Sequence, residues 1–200
     1  MPVIGITGGI ATGKSTFTRL LREQLPVEHF DSDRCVHDLL AADDKVRDAI
    51  VAAFGDAACD DTGRPDRVKL RELVFADESR RKTLESILHP IVRARWTALA
   101  ETARTTGGWL LSDIPLLYET GAEAQMDRVI VVACHRDTQL SRLTRERGLA
   151  PGTAMAIMAA QLDLGEKTQK ADNVIWNDST VQNLDGQSRI LAASLRRHFA

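Results

Sequence analysis

Eight residues near the start of the chain, Gly8-Gly9-Ile10-Ala11-Thr12-Gly13-Lys14-Ser15, combine three glycines, an ammonium group and two hydroxyls at fixed spacing. They fit the phosphate-loop pattern G-x-x-x-x-G-K-[ST], and each residue type has a physical reason to be there. Glycines let backbone N–H groups turn toward an anion without a Cβ in the way. A helix starting at the lysine points its positive end at the same spot. Lys14 adds a full charge that can reach β- and γ-phosphates, the Ser15 hydroxyl can bind Mg²⁺, and Thr16 supports the α-phosphate side. Four defined positions match by chance in a chain of this length on the order of once in a hundred. A loop of this kind implies ATP or GTP; it does not by itself name a reaction.

Other charged groups are spaced to act on such a phosphate. Asp31 and Asp33 follow a short apolar run at residues 27–30, and Asp113 ends another, "WLLSD". In an open parallel sheet the carboxyl ends of the strands face the ligand crevice. A carboxylate there can accept a hydroxyl proton as that hydroxyl attacks the γ-phosphoryl. Asp33 is the candidate for that role and Asp113 for a Mg²⁺-water ligand, with Ser15 as the second metal-side residue. Asp31 reads as mostly structural, since Asp and Ser both cap helices. "RLTRERG" places Arg142, Arg145 and Arg147 within two turns, the anatomy of a lid that brings guanidinium groups over a transferring phosphoryl.

The elements that must position these groups follow from periodicity. Short apolar runs rich in β-branched residues predict strands at 3–7, 27–30, 109–115, 127–134 and 173–177. Helical spacing predicts helices over 14–25, along a tract at 36–54 closed by Gly55, and over 66–76, 77–88 and 90–104. Further helices are predicted over 137–147 and 151–162 and at the C-terminal end. His89-Pro90 reads as the start of the 90–104 helix, with proline at its first position. Strands alternating with helices predict an α/β fold: a three-layer α/β/α core around a five-stranded, mostly parallel sheet. The all-helical stretch at about 35–105 is too long for a simple crossover and is expected to be a subdomain. Residues 137–170 form the expected lid, within a single 200-residue domain.

Composition narrows the function classes. With 44% hydrophobic residues, 27% charged residues and a net charge of −2, the chain has a globular core and no bulk field for nucleic acid or anionic lipid. Its three scattered cysteines are neither a disulfide framework nor a metal cluster and read as buried free thiols. With no signal segment or membrane-length stretch, a cytoplasmic protein is expected, a monomer with a weak oligomer as the alternative. A regulatory GTPase should carry N-K-x-D to read guanine, and the chain has none; "DDTG" at 60–63 lies in a polar loop. A small-molecule kinase fits the anatomy, with a nucleoside or nucleoside-monophosphate kinase and a nucleotide-dependent binding switch as rivals.

Taken together and in order, "TGGIATGKST", "DSD" at 31–33, "LHPIV" at 88–92, "DIPLLYETG" at 113–121 and "AAQLDLGEKTQKADNVIWN" at 159–177 resemble the dephospho-CoA kinase family along nearly the whole chain. The resemblance implies an ATP- and Mg²⁺-dependent P-loop kinase that phosphorylates the ribose 3′-hydroxyl of dephospho-CoA. It implies Asp33 as base; Lys14 from the loop and Arg145 from the lid cluster are the other candidate catalytic groups. It places ATP along Gly9, Ile10, Ala11, Thr12, Gly13, Lys14, Ser15 and Thr16, with the adenine near Ile175 and Asn177. It places the acceptor along Asp33, His89, Leu116, Leu117, Glu119, Arg147 and Gln161. Lys167 reads either as a phosphate contact or as a solvated helix residue. Two departures stand out. Glu146 occupies the register of a family lid arginine, so the lid is expected to be locally shifted. Ala11 replaces a commoner glycine, which is harmless if that residue keeps a negative φ.

Overall fold

The computed structural model describes residues 2–75 and 77–199. Five strands form one sheet: β1 (Val3–Gly8), β2 (Val27–Asp31), β3 (Trp109–Asp113), β4 (Arg128–Ala133) and β5 (Asn173–Trp176), in the order β2-β3-β1-β4-β5. β1 pairs in parallel with β3 (Ile6 opposite Asp113) and with β4 (Gly8 opposite Val132), and β4 pairs in parallel with β5. All six β1 residues are buried, as are the last five of β4, which is why these strands read as continuous apolar runs rather than alternating ones.

The chain divides into two compact units, Met1–Phe30 with Ala100–Ala200, and Asp31–Leu99. The first holds the sheet. Its α1 (Lys14–Gln24) and α9 (Val181–His198) pack on one face. There Phe17, Leu20 and Leu21 meet Leu184, Leu191 and Leu195 over Ile4, Ile6, Ile130, Val132 and Ile175. Each such buried side chain contributes about 1.5–3 kcal/mol of apolar transfer. This core sets the height of the loop between β1 and α1.

The second unit is helical apart from an isolated bridge between Cys59 and Pro65. Asp31 caps α2 (Ser32–Ala42), its carboxylate accepting from Arg34 N at 3.0 Å. The tract expected to run over 36–54 is broken at Asp43, which caps α3 (Asp44–Phe54) by accepting from the Lys45 and Val46 amides. α4 (Arg67–Phe75) follows.

The boundary expected at His89-Pro90 does not exist. α5 (Glu78–Thr106) is one helix with Pro90 inside it. An internal proline costs about 3 kcal/mol, but Leu88, Val92, Trp96, Ala100 and Ala103 form a buried stripe that runs straight past it. Burial of that stripe outweighs the lost hydrogen bond.

The region expected as a lid holds α6 (Arg136–Ser141), α7 (Pro151–Ala159) and α8 (Leu164–Lys170). Between α6 and α7 lies a π-helical turn, Arg142–Glu146, closed by Arg147 N donating to Arg142 O at 3.2 Å. The extra residue per turn shifts the register where the arginines cluster. α8 is too short for apolar periodicity to predict. Asp163 caps it, accepting from Gly165 N and Glu166 N.

Candidate active site

The loop joining β1 to α1 is held from behind. Every carbonyl from Gly8 to Gly13 accepts a hydrogen bond. Gly8 O takes Lys167 Nζ at 3.5 Å, and Gly9 O takes Thr12 Oγ1 at 2.9 Å. Ile10 O takes Gln139 Nε2 at 2.7 Å, and Ala11 O takes Arg142 NH1 at 3.1 Å. Thr12 O takes Asn177 Nδ2 at 2.8 Å, and Gly13 O takes Phe17 N at 3.1 Å. A trans peptide points its N–H opposite to its C=O, so each carbonyl held by a donor fixes the direction of the amide that follows it. The Ile10 amide is itself engaged, donating to Gln161 Oε1 at 2.9 Å.

Glycine is required where this packing is closest. Gly13 lies at φ +88° and caps α1, and a Cβ there would run into Asn177 Nδ2. A Cβ on Gly9 would come within 2.5 Å of Gln139 Nε2. Ala11 departs from expectation: its φ is +58°, the left-handed region. Its methyl therefore costs about 1–2 kcal/mol of backbone strain, where a negative φ would have cost nothing.

In front of the loop, the Lys14 ammonium pairs with Asp113, and Thr18 Oγ1 donates to the other Asp113 oxygen at 3.1 Å. Asp113 is 3% exposed at the end of β3. A carboxylate this buried needs such partners, because an unpaired buried charge is strongly unfavourable. Thr18 was not singled out from the sequence, although it stands one helical turn after Lys14 and shares its face.

The donor set fits a nucleoside triphosphate and its metal. The amides of Lys14, Ser15 and Thr16 open α1 and have no intrahelical acceptor by construction. An ammonium stands beside them, and Mg²⁺ bound with a nucleotide asks for only one or two protein oxygens. Ser15 is exposed and Asp113 supplies the carboxylate. Among the described residues no cluster of three or more His, Cys, Asp or Glu could hold a metal by itself.

Other predicted residues fall as follows. Ile175 is buried in the core beneath the loop, and Asn177 is 8% exposed against Thr12. Arg142 bridges Ala11 O and Asn177 O, the latter at 2.8 Å, whereas Arg145 and Arg147 are exposed. Leu117 is fully buried, where a Cβ on Gly5 would meet its Cδ1 at 2.6 Å, and Leu116 is half-buried. Glu119 Oε1 accepts from Leu162 N at 2.9 Å and pairs with Lys167 at 2.8 Å. Lys167 is neither solvated nor a phosphate contact: it is fully buried, and its three donors go to Glu119, Pro115 O and Gly8 O.

In the helical unit, Asp33 is exposed in the first turn of α2, and His89 is half-buried on α5. Asp33 lines a surface cleft with Arg34, His37, Asp38 and Arg67.

Where β5 ends, Asp178 accepts from His135 N at 2.9 Å and from Thr138 Oγ1 at 2.7 Å. Burial pushes this carboxyl up, but those hydrogen bonds and the adjacent His135 ring outweigh burial and hold it below the usual range. Cys134 is a free thiol whose burial pushes it up to about 11, so it is inert as a nucleophile.

Comparison with known proteins gives the family. Residues 2–183 match the family model described as dephospho-CoA kinase. A dephospho-CoA kinase of Methylococcus capsulatus is 40% identical over 187 residues, covering 94% of this chain and 93% of that protein. One of Anaeromyxobacter dehalogenans is 43% identical over 200 residues, covering 98% and 93%. The crystal structure of TT1252 from Thermus thermophilus superposes with a TM-score of 0.76 at 32% identity, covering 98% of this chain and 97% of that one. Shikimate kinase from Aquifex aeolicus, at 14% identity and a TM-score of 0.55, shares the fold. With its phosphate loop braced from behind and Lys14 set against Asp113, the chain belongs to the dephospho-CoA kinase family.

Proposed function

We propose that this kinase transfers the γ-phosphoryl group of ATP to the ribose 3′-hydroxyl of dephospho-CoA, giving CoA and ADP. The observation that carries the ATP side is the loop itself, with its six consecutive carbonyls from Gly8 to Gly13 each engaged. The residues Gly9, Ile10, Ala11, Thr12, Gly13, Lys14, Ser15 and Thr16 then cradle the phosphates, and the purine sits toward Ile175 and Asn177. Ser15, and Asp113 through water, would hold Mg²⁺, which would supply neutralisation of phosphate charge.

The chain's own groups position the reactants and stabilise charge; phosphoryl transfer needs little covalent help. Lys14 leaves Asp113 for the phosphates as the nucleotide binds. Asp33 accepts the proton of the attacking hydroxyl. Arg145 meets the charge of the transferring group, and Arg147 an anionic part of the acceptor. On the acceptor side we assign direct contact to His89 and Leu116. Leu117, Glu119 and Gln161 serve by holding the 113–121 segment and the loop in shape. The working unit is a single chain in the cytoplasm, and no described helix is long and apolar enough to cross a membrane.

The test is ADP release from MgATP with a panel of acceptors. Release that depends on the acceptor and is dominated by dephospho-CoA is expected. A nucleoside or nucleoside monophosphate working better would reassign the substrate. Slow release indifferent to acceptor would point to a binding switch.

A further inference from the structure

Among the described residues, Asp113 and Lys167 are the charged side chains that are buried. Asp113 belongs to the site; Lys167 has no part in the chemistry above. Burying an ammonium is expensive unless every donor is met, and an apolar residue of the same size would hold the core at lower cost. All three donors are met: Glu119 Oε1 at 2.8 Å, Pro115 O at 3.1 Å and Gly8 O at 3.5 Å. The partners lie far apart in sequence. Gly8 opens the phosphate loop, and Pro115 and Glu119 belong to the segment that leaves Asp113. Glu119 also takes the Leu162 amide, just before α8, which carries Lys167 itself. Thr7 Oγ1 donates to the same Pro115 carbonyl at 2.9 Å, so the end of β1 is fastened to that segment twice.

We infer that Lys167 is a positioning residue for the triphosphate. It draws the Gly8 carbonyl to the rear of the loop and thereby turns the Gly9 amide to the front, where phosphate oxygens bind. It also locks the loop to the 113–121 segment, so that Asp113 and the Gly8–Gly9 peptide keep one fixed relation. This inference rests on the reading that the loop binds ATP.

A core role and a positioning role separate in the double variant Lys167→Met/Glu119→Met. Removing both charges together leaves no uncompensated buried ammonium, and nothing then pulls on the Gly8 carbonyl. MgATP affinity is measured by calorimetric titration, with KM for MgATP and for dephospho-CoA alongside. The double variant should fold, with a Tm below the parent's because Gly8 O and the Leu162 amide lose their partners, and bind MgATP about tenfold or more weakly, the worth of a hydrogen bond to a charged group. KM for dephospho-CoA should move less than KM for MgATP, since of its assigned contacts only Leu116 lies on the segment that Glu119 holds. A folded double variant with parental MgATP affinity overturns the inference. So does a loss shared equally by both substrates.

If the double variant does not fold, Glu119→Gln carries the test, because it keeps size and an acceptor oxygen while removing the counter-charge. Weakening of MgATP binding by about threefold or more supports the role, and unchanged binding refutes it. Failure of the unmodified protein to bind MgATP would instead sink the ATP reading itself.

Discussion

Gly13→Ala tests whether the loop is shaped by the contacts described. The residue sits at φ +88°, and an added Cβ would collide with Asn177 Nδ2, the donor that holds Thr12 O at 2.8 Å. Two costs follow. An alanine in the left-handed region loses about 1–2 kcal/mol. Asn177 must also swing away, leaving a buried carbonyl unpaired at about 1–3 kcal/mol. Alanine stiffens the unfolded chain, which returns about 0.4–1 kcal/mol. The net expectation is a loss of about 1–5 kcal/mol in urea unfolding, with MgATP binding weakened as well.

The sharper measurement is the cycle with Asn177→Ala. That variant alone forfeits the bond to Thr12, and the combination cannot forfeit it twice. The double variant should therefore be about 1–3 kcal/mol more stable than the two losses added together. Additive penalties, or a Gly13→Ala protein as stable as the parent, would refute the claim that Asn177 and Gly13 share one packed contact.

Lys14→Ala should lower kcat/KM by at least about 10²-fold, as loss of a preorganised charge does, and near-parental activity would remove Lys14 from the mechanism. Asp33→Asn should leave MgATP affinity intact and cut turnover by about 10²–10⁴-fold, the range for a lost general base. Asp31→Ala should instead cost about 1 kcal/mol of stability through the α2 cap; exchange of these two phenotypes would move the base to Asp31. Thr138→Val removes one bond that holds Asp178 below its ordinary value of 3.8. A depressed carboxylate stabilises the fold above its unfolded pKa, and that stability is lost as pH falls through the lower folded value. The variant should thus lose stability less steeply between about pH 5 and 2 than the parent, and superimposable acid limbs would contradict the assignment.

Much of the fold is legible in the sequence, because parallel strands covered on both faces read as unbroken apolar runs and the phosphate-loop pattern is local. The exceptions have physical causes. Pro90 reads as a helix start, since local propensity does not see the buried stripe from Leu88 to Ala103 that carries α5 across it. α8 is too short for periodicity, though Asp163 with Glu166 three residues on was a readable capping signal. The loop residues themselves were legible; what holds them was not. Gln139, Arg142, Lys167 and Asn177 lie well over a hundred residues from the carbonyls they grip. No spacing rule reaches that far, and so the sequence reads Lys167 as a phosphate contact or a solvated helix residue.

That separation bears on how the molecule comes into being. The nucleotide loop is complete by residue 16, yet its last brace, Asn177, lies 165 residues beyond Thr12. A ribosome-bound nascent chain therefore carries the motif long before it has the grip, because contacts this distant in sequence close late. Grafting those first residues onto a foreign scaffold would transfer the spelling without the shape.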